Sequence, residues 1–105
     1  MTPHALRDAI GAGTAPVILD VRTREEYAAG HVRGAINIPF NEVGRRVVEL
    51  GAHREQPLIV YCGHGPRAWM AGAVLRGHGF RRLRFLSGHM AGWRRAGLPE
   101  ETGPS

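Results

Sequence analysis

The sequence predicts an α/β domain, a parallel β-sheet flanked by helices on both faces. Three observations carry that class. PVILDV (16–21) and PLIVY (57–61) are compact apolar runs, the profile of strands covered on both sides. Each is followed within a few residues by a helix start, TREE at 23–26 and PRAW at 66–69. Strands and helices then alternate to the end of the chain, the order that builds parallel sheets from crossover units. With 105 residues there is room for one core, so a single domain over 1–105 is expected, ordered to about residue 100 with a short frayed C-terminus.

The first helix starts at Thr2 and Pro3, carries Ala5, Leu6, Ala9 and Ile10 at helical spacing, and stops at Gly11 or Gly13. After the first strand, Thr23 and Glu26 have the spacing of a capping box, and the short helix they open ends near Gly30. AINI (35–38) offers a short strand. Asn41 is expected to cap a helix through VGRRVVEL, with Val43, Val47 and Leu50 on one face. The second strand, PLIVY, leads through a glycine-rich corner into a helix from about Pro66, with Trp69, Met70, Ala73 and Val74 expected inward and Gly77 or Gly79 at its end. RLRFLS (82–87) reads as a strand and MAGWRRAG as a last helix closed by Gly97 and Pro99. Core packing is the expectation for both Trp69 and Trp93.

Composition narrows the function classes. All 14 basic residues are arginine, against 9 acidic residues, giving a net charge of +5. That surplus attracts anions, yet the arginines are spread along the chain with no basic tail and no aromatic-interleaved stripe, so nucleic acid is not the expected partner. A small anionic substrate fits the same charge. No stretch approaches the ~20 apolar residues that cross a bilayer, and MTPHALRD carries charges where a signal peptide has its apolar block. The expectation is a soluble cytoplasmic protein with no membrane partner. The six histidines show no short ligand spacing, so no metal site is expected. A single cysteine excludes an internal disulfide.

That cysteine stands where open parallel sheets bind ligands, beyond the carboxyl end of a strand. In CGHGPR (62–67), Gly63 and Gly65 let the chain curl and present N–H groups to one point, while the following helix directs its positive end there too. Such a nest favours an anion, and the natural resident is the Cys62 thiolate or a charged sulfur species attached to it. Arg67 adds a fixed charge with a forked donor set suited to an oxyanion. Pro66 removes one N–H from the nest but pre-sets the first helical turn. His64 is a candidate helper, with a solvated loop histidine as the plainer reading. GHGPRA also fits the dinucleotide fingerprint, but RLRFLS ends without the acidic residue that would hold a ribose. The loop lacks G-K-[ST], which excludes a nucleotide-triphosphate P-loop.

Three blocks of the chain resemble the single-domain rhodanese, or thiosulfate sulfurtransferase, family. LDVRTREEYAAGHVRGAINIP (19–39) resembles its D-V-R followed by E-[FY]-x-x-G-H-[IV]-x-G-A-x-[NH]-[IL]-P, and CGHGPR resembles its C-x-x-G-x-R loop. LSGHMAGWRRAGLP (86–99) resembles its closing G-G-x-x-x-W-x-x-A-G-[LY]-P, with His89 where a second glycine is usual. The resemblance implies a rhodanese-like fold and a sulfurtransferase in which Cys62 carries a persulfide, N–H groups of residues 63–67 cradle the sulfur and Arg67 closes the loop. It implies structural support from Asp20 and His31, with Gly30, Gly34 and Asn37 holding a connection together. It implies a small anionic donor such as thiosulfate, a thiol or protein sulfur acceptor, and no cofactor. The four residues between Cys62 and Arg67 match the sulfur-transfer loop rather than the longer loop of related phosphatases. Gly63 stands where many members carry a basic or polar side chain. A persulfide carrier or non-catalytic interaction module serving a partner, and a redox sensor using Cys62, remain as alternatives.

Overall fold

Thr2 opens the chain as a cap: its Oγ1 accepts from the Ala5 N–H at 3.1 Å, Pro3 takes the first helical position, and α1 (Pro3–Ala12) runs until Gly13 turns left-handed at φ 74°. In this computed structural model, which describes residues 1–104, there follow β1 (Val17–Asp20), α2 (Arg24–Ala29), β2 (Ile36–Asn37) and α3 (Val43–Arg46). β3 (Leu58–Tyr61), α4 (Pro66–Gly77), β4 (Leu83–Phe85) and α5 (His89–Arg95) complete the chain. The strands form one parallel sheet in the order β2-β1-β3-β4. β1 and β3 are its centre, paired from Val17 opposite Leu58 to Asp20 opposite Tyr61.

Strand alternation divides the core into two halves. Leu19, Leu58 and Val60, with Cys62 continuing the alternation, pack against Val43, Leu50, Ala68, Ala71 and Leu75 from α3, α4 and the segment between α3 and β3. Ile18, Ile59 and Tyr61 face the other way, onto Leu6, Tyr27, Met90 and Trp93 from α1, α2 and α5. Both faces are therefore covered by helices, as the continuous apolar strands require. The capping box of α2 is complete: Thr23 Oγ1 accepts from the Glu26 N–H at 3.2 Å, and Glu26 Oε1 accepts from the Thr23 N–H at 3.1 Å. Beyond Pro99, His31 and Glu101 exchange backbone hydrogen bonds at 2.8 and 2.9 Å, and the Gly103 N–H donates to the Ala28 carbonyl at 2.8 Å.

Two expectations are corrected. Asn41 does not cap a helix; it lies inside a 3-10 turn (Phe40–Glu42), α3 is a single turn without a side-chain cap, and a second 3-10 segment runs over Val47–His53. The Ile38 and Phe40 N–H groups donate to Asp20 and Val21 carbonyls at 3.0 and 2.9 Å, holding the chain alongside β1 until the turn has begun, which leaves no extended residue at Asn41 to act as a cap. The inward face of α4 is also different. Ala68, Ala71, Gly72 and Leu75 face the core, whereas Trp69, Met70, Ala73 and Val74 point outward, Trp69 being 70% exposed. The helix lies so close to β4 that a Cβ on Gly72 would sit 2.8 Å from Phe85 Cζ. Close approach at Gly72 selects small residues on that face beside Leu75, and Trp69, Met70 and Val74 are left outside. Trp93, by contrast, is buried at 1% exposure. No helix among the described residues is long and apolar enough to cross a membrane.

Candidate active site

Cys62 follows the last residue of β3 and keeps the inward direction of the alternation, so its side chain is wholly buried. The chain must then turn back sharply to start α4 at Pro66. Gly65 makes that turn at φ 135°, a conformation that L side chains rarely adopt, and its N–H comes to 3.0 Å from Cys62 Sγ. A backbone donor thus points at the sulfur, beside the positive end of a helix of 12 residues.

The first turn of α5 holds the same loop from the other side. The Met90 N–H donates to the Cys62 carbonyl at 2.9 Å and the Ala91 N–H to the Gly63 carbonyl at 3.1 Å. The Cys62 N–H donates to Nδ1 of His89 at 3.2 Å. Burial pushes the His89 imidazole down from its ordinary range, with the nearby His64 acting in the same direction. His64 itself is exposed at the mouth of the loop, while Gly63 and Arg67 are half-buried.

Arg67 lies beside the loop, its Nη2 3.2 Å from where a Cβ on Gly63 would stand, but its fork is spent on α2. Nη1 and Nη2 donate to Glu26 Oε1 and Oε2 at 2.5 and 3.1 Å. These bonds hold the Glu26 carboxyl at about 2, below its usual range, and raise Arg67 further. The positive charge expected for an oxyanion is therefore offset by a carboxylate. Glu26 was visible in the sequence only as a capping residue, and its second partner comes from an element 41 positions away.

Asp20 and His31 are committed to the frame. Asp20 is fully buried, and its carboxylate accepts from Arg22 Nε at 3.1 Å and Nη2 at 2.7 Å; Nη2 also donates to the Gly30 carbonyl at 2.6 Å. Asn37 Nδ2 donates to the Asp20 and Arg22 carbonyls, each at 3.0 Å, tying β2 to β1. His31 stacks on Tyr27 with ring centroids 3.7 Å apart and donates from Nδ1 to the Tyr27 carbonyl at 2.7 Å. Cys62, Gly65 and Arg67 are thus brought together with Glu26 and His89, while Asp20 and His31 brace the turn that follows β1. Next to the loop, Gly65, Pro66, Trp69, Phe85 and His89 line an open groove of about 400 Å³. Among the described residues, no three His, Cys, Asp or Glu side chains cluster as metal ligands.

The family model of the rhodanese-like domain matches residues 2–96. This chain belongs to the rhodanese family. A thiosulfate sulfurtransferase, GlpE, of Actinobacillus pleuropneumoniae is 31% identical to it over 102 residues, which cover 97% of this chain and 92% of GlpE. An HTH-type transcriptional regulator of Mycobacterium tuberculosis, Rv0324, is 41% identical over 88 residues, 82% of this chain but only 38% of that protein. The crystal structure of the Alr3790 protein from Anabaena sp. superposes with a TM-score of 0.86 at 30% identity, covering 97% of this rhodanese-like chain and 81% of that one. The parallel four-stranded α/β architecture is accordingly the rhodanese-like fold.

Proposed function

We propose that this rhodanese-like chain is a sulfurtransferase that moves a sulfane sulfur from a donor such as thiosulfate to a thiophilic acceptor through a persulfide on Cys62. The observation that carries this reading is the Gly65 N–H at 3.0 Å from Cys62 Sγ, in a loop closed by the N-terminus of α4. A hydrogen-bond donor and a helix dipole aimed at a sulfur favour its anionic forms, both the attacking thiolate and the persulfide that follows.

The cycle is a double displacement. The Cys62 thiolate attacks the outer sulfur of thiosulfate; a Cys–S bond forms, the S–S bond of thiosulfate breaks, and sulfite leaves with the bonding pair. The acceptor, cyanide or a thiolate, then attacks the outer sulfur of the persulfide, forming thiocyanate or a new persulfide and returning the Cys62 thiolate. Sulfur changes partner without net consumption of an oxidant or reductant, so the cycle calls for neither a metal nor an organic cofactor. In this reading Gly63, His64 and Gly65 form the cradle, Pro66 starts the helix that completes it, Arg67 fixes the loop to α2, and Asp20 and His31 support the frame.

A second reading has one observation in its favour. Arg67 is paired with Glu26 and position 63 is glycine, so the loop offers little free positive charge to a dianionic donor. That suits a persulfide carrier loaded by a partner protein rather than by thiosulfate.

Intact mass separates the two. The reduced protein incubated with thiosulfate should gain one sulfur atom, lose it on addition of cyanide, and gain nothing as Cys62→Ser. A wild-type protein that stays at its starting mass in excess thiosulfate would overturn the thiosulfate reading and leave the partner-loaded carrier.

A further inference from the structure

His89 is the one described residue other than glycine with a positive φ, at 54°. An L side chain is disfavoured there because Cβ crowds the following carbonyl, whereas glycine would sit without cost. The side chain that occupies this place is bound to the cysteine loop. Its Nδ1 accepts the Cys62 N–H at 3.2 Å, so Nδ1 carries the lone pair and the neutral ring carries its proton on Nε2. The opposite edge of the ring stands against Gly65: Nε2 lies 3.4 Å, and Cδ2 3.6 Å, from where a Cβ on Gly65 would be. One imidazole is therefore bonded to the start of the loop and faces, across the space a side chain would fill, the residue that turns it back.

We propose that His89 is the positioning residue of the Cys62 loop: Nδ1 holds the Cys62 N–H and so fixes the backbone from which Sγ projects, which keeps Cys62 Sγ on the Gly65 N–H. The loop has reason to need such a brace. Pro66 supplies no N–H, so the Gly65 donor has no neighbour on that side to replace it. Gly65 is also the most freely rotating type of residue, and nothing in its own structure keeps it at φ 135°. Burial supports the role, since it keeps the imidazole neutral, and a neutral ring is the form that accepts at Nδ1. The proposal rests on the sulfurtransferase reading only for its kinetic consequence; the clamp itself is a property of the loop.

The test compares wild type, His89→Asn and His89→Gly. Asparagine tolerates the left-handed backbone and places an acceptor where Nδ1 is, whereas glycine suits the backbone better than histidine but offers no acceptor. Three quantities are read: the rate at which iodoacetamide alkylates Cys62, the rate of sulfur gain from thiosulfate by intact mass, and the thermal midpoint. The glycine variant should keep its midpoint within roughly 5 °C. It should lose about tenfold in both rates, the scale on which one hydrogen bond acts. The asparagine variant should stay within about threefold of wild type, because it keeps the acceptor. A glycine variant that reacts at the wild-type rate overturns the clamp, and so does an asparagine variant that falls as far as glycine while folded. If wild type takes no sulfur from thiosulfate but alkylation follows the expected order, the sulfur-donor reading fails and the clamp stands. The tautomer gives a readout that needs no variant: ¹⁵N spectra should show His89 protonated on Nε2, and a ring protonated on Nδ1 would exclude the bond from Cys62.

Discussion

At the scale of single residues, the site turns on how Arg67 is held. Its guanidinium is bidentate to Glu26, which also completes the cap of α2, so one carboxylate serves two elements. Glu26→Gln keeps a cap acceptor for Thr23 but removes the charge that offsets Arg67. The KM for thiosulfate should fall by about threefold, the scale of a partly exposed ion pair after solvent screening, with kcat little changed. An unchanged KM would mean that the Arg67 charge does not act on the donor. Much of this site was legible in the sequence: a cysteine at a strand end, two glycines, an arginine and a helix start are local features. Glu26 and His89 were not legible as parts of it. Each meets the loop through tertiary contact, from 41 positions before Arg67 and 27 positions after Cys62, and spacing along the chain says nothing about such meetings.

At the scale of elements, α4 shows where hydrophobic pattern misleads. Trp69, Met70 and Val74 of PRAWMAGAVLRG lie on its outer face and Leu75 alone of its large apolar side chains faces inward, because the sheet-facing side is shaped by close approach to Phe85 and Leu83. Apolar periodicity identifies a face by size and greasiness, and neither marks a face built of Ala68, Ala71 and Gly72. The strands did not suffer this ambiguity: β1 and β3 are buried on both sides, so VILD and LIVY read correctly whichever way each side chain points. The cap of α2 was equally legible, being a matter of spacing alone, whereas Asn41 failed as a cap because hydrogen bonds to β1 fixed the backbone ahead of it. The packing of α4 predicts an inversion of ordinary helix propensity. Gly→Ala within an exposed helix stabilises by about 1 kcal/mol, yet Gly72→Ala should destabilise by roughly 1–3 kcal/mol, because the added methyl overlaps Phe85. Trp69→Ala should leave the thermal midpoint nearly unchanged, while Trp93→Ala, deep in the second half of the core, should cost about 3–5 kcal/mol. Equal losses at the two tryptophans would contradict the orientation of α4.

At the scale of the whole molecule, the arginine-only surplus organises the carboxylates. Glu42 accepts from Arg24 at 2.8 Å through each oxygen and from Arg46 at 3.1 Å, with Arg45 at 3.3 Å, and so joins α2 to the α3 region. Its hydrogen bonds from Arg24 hold it at about 2, as Arg67 does for Glu26, and Arg46 lowers Glu49 as well. Each of these acids has a folded value below its unfolded one, so its contribution to stability is complete above the unfolded value, near 4.5, and disappears as pH falls through the folded value, about 2 for Glu26 and Glu42. The arginine partners stay charged at every pH in question, and their pairs raise them further, so these contacts add no loss on the alkaline side. The urea midpoint should accordingly be insensitive to these groups from pH 5 to 8 and decline between about pH 4.5 and 2. Glu42→Gln should lower the midpoint at pH 7 and flatten that decline, leaving the part due to Glu26 and Glu49. Added salt should flatten it too, because the pairs sit at the surface and are screened. A wild-type midpoint that holds steady from pH 5 down to 2.5, or a Glu42→Gln protein whose acid decline is as steep as wild type, would show that these networks do not couple to folding and that the fold rests on its two apolar layers alone.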